Sequence, residues 1–299
     1  MKRLALAFLV MFCASHAGAW GEKGHYIVSE AATLALPPDM PHFFHRAYPE
    51  LIWLAYDPDR WKGGGESIDA VNDPDHFVDY EYIAALDLPP DRYRFLALLE
   101  SSGTLRRLGL TNDEIGFVPW RVAELSEKLT LLFRLWRWST AGSPERGFIE
   151  RDIINTAGIL GHYVGDSANP HHATMHYNGW VGVPNTEGYA NDCAIHSRFE
   201  SNFVSHAVDV SQVVPKVAAP QPVSTDYFAA ALGFVKSSQA RIEELYRIDR
   251  DGGFDPLKPA SAEGLAFATD RLAAGASMLR DIWWSAWKNS GQPRPRRAR

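Results

Sequence analysis

The chain has 299 residues, 46% of them hydrophobic, and a formal net charge of −6. That length and composition support one large domain with a substantial core. The acidic balance excludes a protein that grips polyanions by bulk positive charge, so a phosphate-bearing ligand would need locally concentrated charge such as metal ions.

The chain opens with the pattern of a secretion signal. Lys2 and Arg3 form a basic start, "LALAFLVMF" an apolar run, and "AGA" at Ala17–Ala19 a small-residue cleavage site. The expected plan is a signal peptide over 1–19, an all-α domain over 20–290 and a basic disordered tail over 291–299. Cleavage before Trp20 removes two of the 30 basic residues, leaving 28 against 36 acidic ones and a net charge of −8. The expected location is secreted or periplasmic. The apolar run is too short for a transmembrane helix, and no second one follows. Cys193 would be the sole cysteine of the cleaved chain, so no intramolecular disulfide is expected there.

The rest reads as helical. "HYIVSEAATLAL" (25–36) has helical apolar spacing and stops at Pro37-Pro38. "PDRYRFLALLESSG" (90–103) starts at proline and ends at glycine. Residues 119–139 carry an apolar stripe of Val122, Leu125, Leu129, Leu132 and Trp136. Residues 145–167 are apolar enough for a central, buried helix. Further helices are expected over 195–210, 225–248 and 262–287, with loops at 61–67 and 178–192. No alternating strand pattern, internal repeat or linker divides the chain.

The central helix contains "GHYVGDSANPHH", in which His162 and Asp166 lie four apart on one face. His172 follows after Pro170. His196 and Glu200 repeat the four-residue spacing on another helix. Zinc takes such mixtures of imidazole and carboxylate. A lone pair of this kind is ordinarily a hydrogen-bonded pair on a solvated face. Ile154, Ile159, Leu160 and Val164 argue against that for His162–Asp166, because buried charge needs a partner. Upstream candidates are His25 in "WGEKGH", Asp57 in "AYDPDRW" and His76 in "DPDHFVDYE". Asp59 remains open as a replacement for Asp57; the D-x-x-R spacing to Arg60 favours Asp57. His171 rivals His172, and the spacing from Asp166 favours His172; His176 is a weaker rival. Asp73 and Asp75 read as a turn-forming acidic loop.

In these positions the chain resembles the trinuclear zinc phosphodiesterases, the zinc-dependent phospholipases C and the type I single-strand nucleases. The matching residues are Trp20, His25, Asp57, His76, His162, Asp166, His172, His196 and Glu200, in the family's order. The resemblance implies a single all-α, multi-helix domain holding three zincs at the base of a cleft. It assigns Asp57, His76, His162 and Asp166 to one ion. The amine and carbonyl of Trp20, with His25 and a shared Asp166, take the second. His172, His196 and Glu200 take the third. Asp57 and Asp166 become catalytic, with the Asp166-bridged pair activating water and the third ion stabilising the leaving group. The substrate would be a phosphodiester, either single-stranded nucleic acid or phospholipid; protein partners are not indicated.

"WGEKGH" and "DPDR" followed by "HFVD" resemble the nuclease side, where Arg60 and Asp79 would brace the metals and Phe77 would stack on a base. Glu200 as last ligand resembles the phospholipase side. The balance leans to a nuclease or nucleotidase. The other readings are a phospholipase C and, in a different class, a zinc-binding protein without catalysis.

Overall fold

The computed structural model describes residues 20–292 except Val183. The expected signal segment over 1–19, and all but two residues of the expected tail, lie outside the described residues. Every regular element is helical, and no strand occurs among the described residues.

Seven helices form the body: α1 (Glu22–Leu34), α2 (Tyr48–Leu54), α3 (Val118–Trp138), α4 (Pro144–Ala168), α5 (Tyr227–Gln239), α6 (Ile242–Arg250) and α7 (Ala262–Asn289). Their ends follow local chemistry. Ser143 caps α4 by accepting from the Arg146 amide, with Pro144 in the first turn. Ser261 caps α7 in the same way. Pro170 prevents α4 from continuing, and a short 3-10 turn, Pro170–Ala173, follows it.

Helix α4 lies at the centre, packed against α1, α2, α3, α5 and α7. It is buried all along its C-terminal half, from Thr156 to Ala168 with only Ile159 partly exposed. Glycine makes the approach of two neighbours possible. A Cβ at Gly158 would stand 2.4 Å from Leu54 Cβ on α2, and one at Gly165 would stand 3.0 Å from His25 Nδ1 on α1. The Trp283 indole on α7 donates to the Ala157 carbonyl at 3.2 Å. The expected stripe on α3 faces inward, with Val122, Leu125, Leu129 and Leu132 buried and Trp136 packed at its edge.

Two expected helices are broken. Residues 225–248 divide into α5 and α6 at Ala240 and Arg241, where no glycine or proline stands. Near the break the Ser238 hydroxyl donates to the Ser167 carbonyl on α4 at 2.6 Å, a tertiary bond that periodicity does not encode. Residues 195–210 contain a π-helical stretch, Arg198–Phe203, between short α-helical turns. The expected loop at 61–67 gives way at Glu66 to a helix, Glu66–Asn72. No helix of the described residues is long and apolar enough to cross a membrane.

Replacing Gly158 with alanine should destabilise the fold by about 1–3 kcal/mol, because the new methyl overlaps Leu54 in a packed interface. Urea unfolding should register this as a lower midpoint; an unchanged midpoint would contradict the tight α2–α4 packing.

Candidate metal centre

Three groups of buried side chains converge beside the C-terminal half of α4. His25, His162 and Asp166 form one, Asp59, His76 and His162 a second, and His172, His196 and Glu200 a third; within each, the ligand-type atoms lie within 4.8 Å of one another. Helix α1 supplies His25, and α4 supplies His162 and Asp166 one turn apart. The turn after α4 supplies His172. His76 ends a 3-10 turn, Asp73–His76. The π-helical stretch carries Glu200, four residues after His196.

Asp166 joins the first two groups. Its Oδ2 lies 3.1 Å from His76 Nδ1 and 3.3 Å from His162 Nε2, and its Oδ1 lies 3.5 Å from His25 Nε2. His172 Nδ1 stands 4.0 Å from Asp166 Oδ1, so the third group adjoins as well. Within that group Glu200 Oε2 lies 2.7 Å from His196 Nε2 and 3.7 Å from His172 Nε2.

Outer hydrogen bonds aim two of the rings. His162 Nδ1 donates to the Ala55 carbonyl at 2.9 Å, and His172 Nδ1 donates to the His76 carbonyl at 2.8 Å. Each bond fixes the proton on Nδ1 and leaves the Nε2 lone pair facing the cluster. Asn169 Nδ2 donates to Glu200 Oε2 at 3.0 Å. Inside the cluster polar atoms are left over. Both ring nitrogens of His25, His76 Nε2, Asp59 Oδ2 and Asp166 Oδ1 are buried without a hydrogen-bond partner. Buried polar atoms ordinarily find partners, and three of these converge, His25 Nε2 lying 3.5 Å from Asp166 Oδ1 and 4.0 Å from Asp59 Oδ2. A donor set of imidazoles and carboxylates, with atoms held together and several of them unpartnered, fits divalent cations that take nitrogen and oxygen ligands, zinc among them.

The electrostatics divide the ligands: burial would lower His162, yet Asp166 and Asp59 outweigh it and raise its pKa. Burial drives His25 well below the ordinary histidine value, and lowers His76 to about 4 and His196 to about 3, so these rings are neutral near pH 7. Burial would raise Asp59, yet His162, Lys62 and His25 outweigh it and hold the carboxyl at about 2. Asp166 also lies well below the usual carboxylate range, burial being outweighed by His162 and His172. Burial pushes Glu200 the other way, to about 8.

Of the nine expected ligand positions, the structure gathers His25, His76, His162, Asp166, His172, His196 and Glu200. It places Asp59 where Asp57 was expected. The two aspartates sit two residues apart in one helical turn, Asp57–Arg60, so they face different sides. Asp57 Oδ1 accepts from Arg60 at 2.6 Å, toward solvent. The D-x-x-R spacing that recommended Asp57 is thus what holds it away. Asp59 turns inward, and Lys62, three residues on, meets its Oδ1 at 2.5 Å. Lys62 was not singled out from sequence, although the same three-residue spacing that pairs Asp57 with Arg60 pairs Asp59 with Lys62.

Trp20 is wholly buried; its indole donates to the Gly165 carbonyl at 2.7 Å and packs on Phe199. This pins the indole to the residue before Asp166. Phe77 is half-buried, with its carbonyl accepting from Val118. Arg60, expected to brace the metals, is occupied by Asp57, the Trp53 carbonyl and the Tyr26 hydroxyl. Asp79 is buried elsewhere, raised well above its ordinary value by burial, with Glu81 and Glu114 adding to it. His171 is buried outside the three groups, and His176 stacks on Trp180 at 4.1 Å.

No model of a known protein family matches the chain, and no curated protein matches it.

Asp59→Asn should weaken binding of one metal ion by at least about tenfold, whereas Asp57→Asn should leave all the sites intact. Zinc titration against a chromophoric chelator distinguishes them; the reverse order would restore Asp57 as the ligand.

Proposed function

We propose that this protein is a three-zinc phosphodiesterase of the phospholipase C and type I nuclease kind, acting on single-stranded nucleic acid. The observation that carries this reading is the reach of Asp166 to ligand atoms of two buried groups, His25 Nε2, His76 Nδ1 and His162 Nε2, with the His172 ring of the third group adjoining at 4.0 Å, an arrangement that supports one polynuclear centre. Bound zinc would supply a Lewis acid and lower the pKa of water from 15.7 to about 7.

The chain's own residues prepare that chemistry. Asp59, His76, His162 and Asp166 would hold one ion, His25 and the shared Asp166 a second, and His172, His196 and Glu200 the third. The bonds from His162 to Ala55 and from His172 to His76 orient imidazoles before any ligand arrives. Lys62 keeps its ammonium at the edge of the cluster, raised above its ordinary pKa because Asp59 outweighs the effect of burial. It offers a phosphoryl oxygen a cation beside the metals. The Trp20 indole is held on the carbonyl of Gly165, the residue before Asp166, and the Trp20 α-amine and carbonyl would complete the second ion's shell once the chain is cleaved before it.

Zinc-loaded protein should cleave bis(p-nitrophenyl) phosphate and a single-stranded oligonucleotide, and leave phosphatidylcholine intact. Cleavage of the lipid alone would move the assignment to a phospholipase C. Full zinc occupancy with no hydrolysis of any of the three would establish a non-catalytic zinc protein. Asp166→Asn should cost more activity than Glu200→Gln, since Asp166 serves two ions; near wild-type turnover of Asp166→Asn with full metal would refute the bridge.

The role of the Trp20 amine has a separate test. A free α-amine has a pKa of about 7.7–8.0 and yields a lone pair when metal displaces its proton. A peptide nitrogen delocalises that pair into the amide. A chain beginning at Trp20 should therefore bind one more zinc, and hydrolyse diesters faster, than a chain with one alanine added in front. Equal zinc content and equal rates would leave Trp20 a packing residue.

A further inference from the structure

His171 is 1% exposed, and neither of its ring nitrogens has a hydrogen-bond partner. An imidazole enclosed in this way gives up its water bonds with no return, which is uncommon in a folded protein. Its ring lies 4.8 Å from that of His196, 5.9 Å from Phe199 and 6.2 Å from Tyr246. His196 carries a matching deficit. Its Nε2 is committed to Glu200 at 2.7 Å and to His172 at 3.1 Å, and its Nδ1 is buried without a partner.

For His196 Nε2 to present a lone pair to a metal, the ring proton must sit on Nδ1, and that N–H then needs an acceptor. His162 has Ala55 O for this purpose and His172 has His76 O. His196 has no such carbonyl. The unpartnered ring packed against it is His171. A turn about the Cβ–Cγ bond exchanges ring nitrogens with carbons in nearly the same volume, so His171 can present a nitrogen without repacking its neighbours.

We propose that His171 accepts the Nδ1 proton of His196 and is thereby a positioning residue for the third metal group. The inference rests on the metal-binding reading of His172, His196 and Glu200. It also gives the turn after α4 a coherent role. His172 is itself a ligand of that group. Asn169 holds Glu200 through its Nδ2 and accepts the His171 amide with its Oδ1 at 3.2 Å. His171 then holds His196. One four-residue stretch, Asn169–His172, would brace all three members.

Two variants and one spectrum test this. His171→Phe keeps the aromatic packing and removes the acceptor; His171→Gln keeps an acceptor. In chelator competition, His171→Phe should bind one of three zincs about 10–100-fold more weakly, the size expected for loss of an outer partner, and His171→Gln should recover most of that. In wild-type protein with labelled histidine, the His196 Nδ1 proton should be visible by NMR, slow to exchange and coupled to a His171 nitrogen. Wild-type zinc affinities in His171→Phe, or a His196 Nδ1 proton with no coupling to His171, would overturn the proposal. The spectrum is recorded on zinc-free and zinc-loaded wild type, so a misfolded variant does not decide the matter. A wild-type chain that fails to bind three zincs would instead defeat the metal reading, while the zinc-free spectrum still decides whether the two rings are bonded.

Discussion

Asp166 is a carboxylate with no solvent exposure in the middle of a helix bundle, and the arrangement around it follows from that fact. An isolated charge there would cost several kcal/mol, more than a fold can usually spare. Four imidazoles, from His25, His76, His162 and His172, approach its two oxygens within 4.0 Å. Burial keeps two of these rings, His25 and His76, neutral, so as they stand they offset the charge only in part. Cations in the cluster would satisfy the carboxylate and the rings together. The same need explains the glycines. Gly165 leaves room for His25, and Gly24 leaves room for Trp20, whose Cβ lies 2.9 Å from where a Gly24 side chain would begin.

Much of this was legible in the sequence because short spacings on regular helices translate directly into shared faces. His162–Asp166 and His196–Glu200 are four-residue pairs, and both close as expected. The exception at Asp57 is instructive. D-P-D-R-W-K contains two three-residue pairs, Asp57–Arg60 and Asp59–Lys62, and nothing local says which of them faces the core. The surroundings decide: Arg60 lies over the Trp53 ring at 3.7 Å and reaches Tyr26, a partly exposed setting, so its aspartate goes with it. Long-range bonds were the other blind spot. Ser238 to Ser167 and Arg271 to Ala168 join residues 71 and 103 positions apart, and neither leaves a periodic trace. The π-helical stretch at Glu200 was hidden for a similar reason, since its residues keep ordinary helical spacing of apolar side chains.

The end of α4 shows how the fold and the site depend on each other. Asp166 lies in the last turn, where the partial negative charge of the helix terminus opposes a carboxylate. The opposition is relieved from behind. Arg271, buried on α7, donates its Nε to the Ala168 carbonyl at 2.9 Å and its guanidinium also reaches Ser238, which donates to Ser167. Burial lowers Arg271 only to about 10, so it remains a cation near neutral pH. It has no carboxylate partner among the described residues; its charge is spent on the carbonyls of the helix end. The terminus that would repel Asp166 is thus tied down by a fixed positive charge. The turn that leaves it, Asn169 to His172, starts from an anchored point. The proposed polynuclear centre would need ligands from separate elements held in fixed geometry, and the anchoring comes from the bundle's own helix-end chemistry rather than from the ligands themselves.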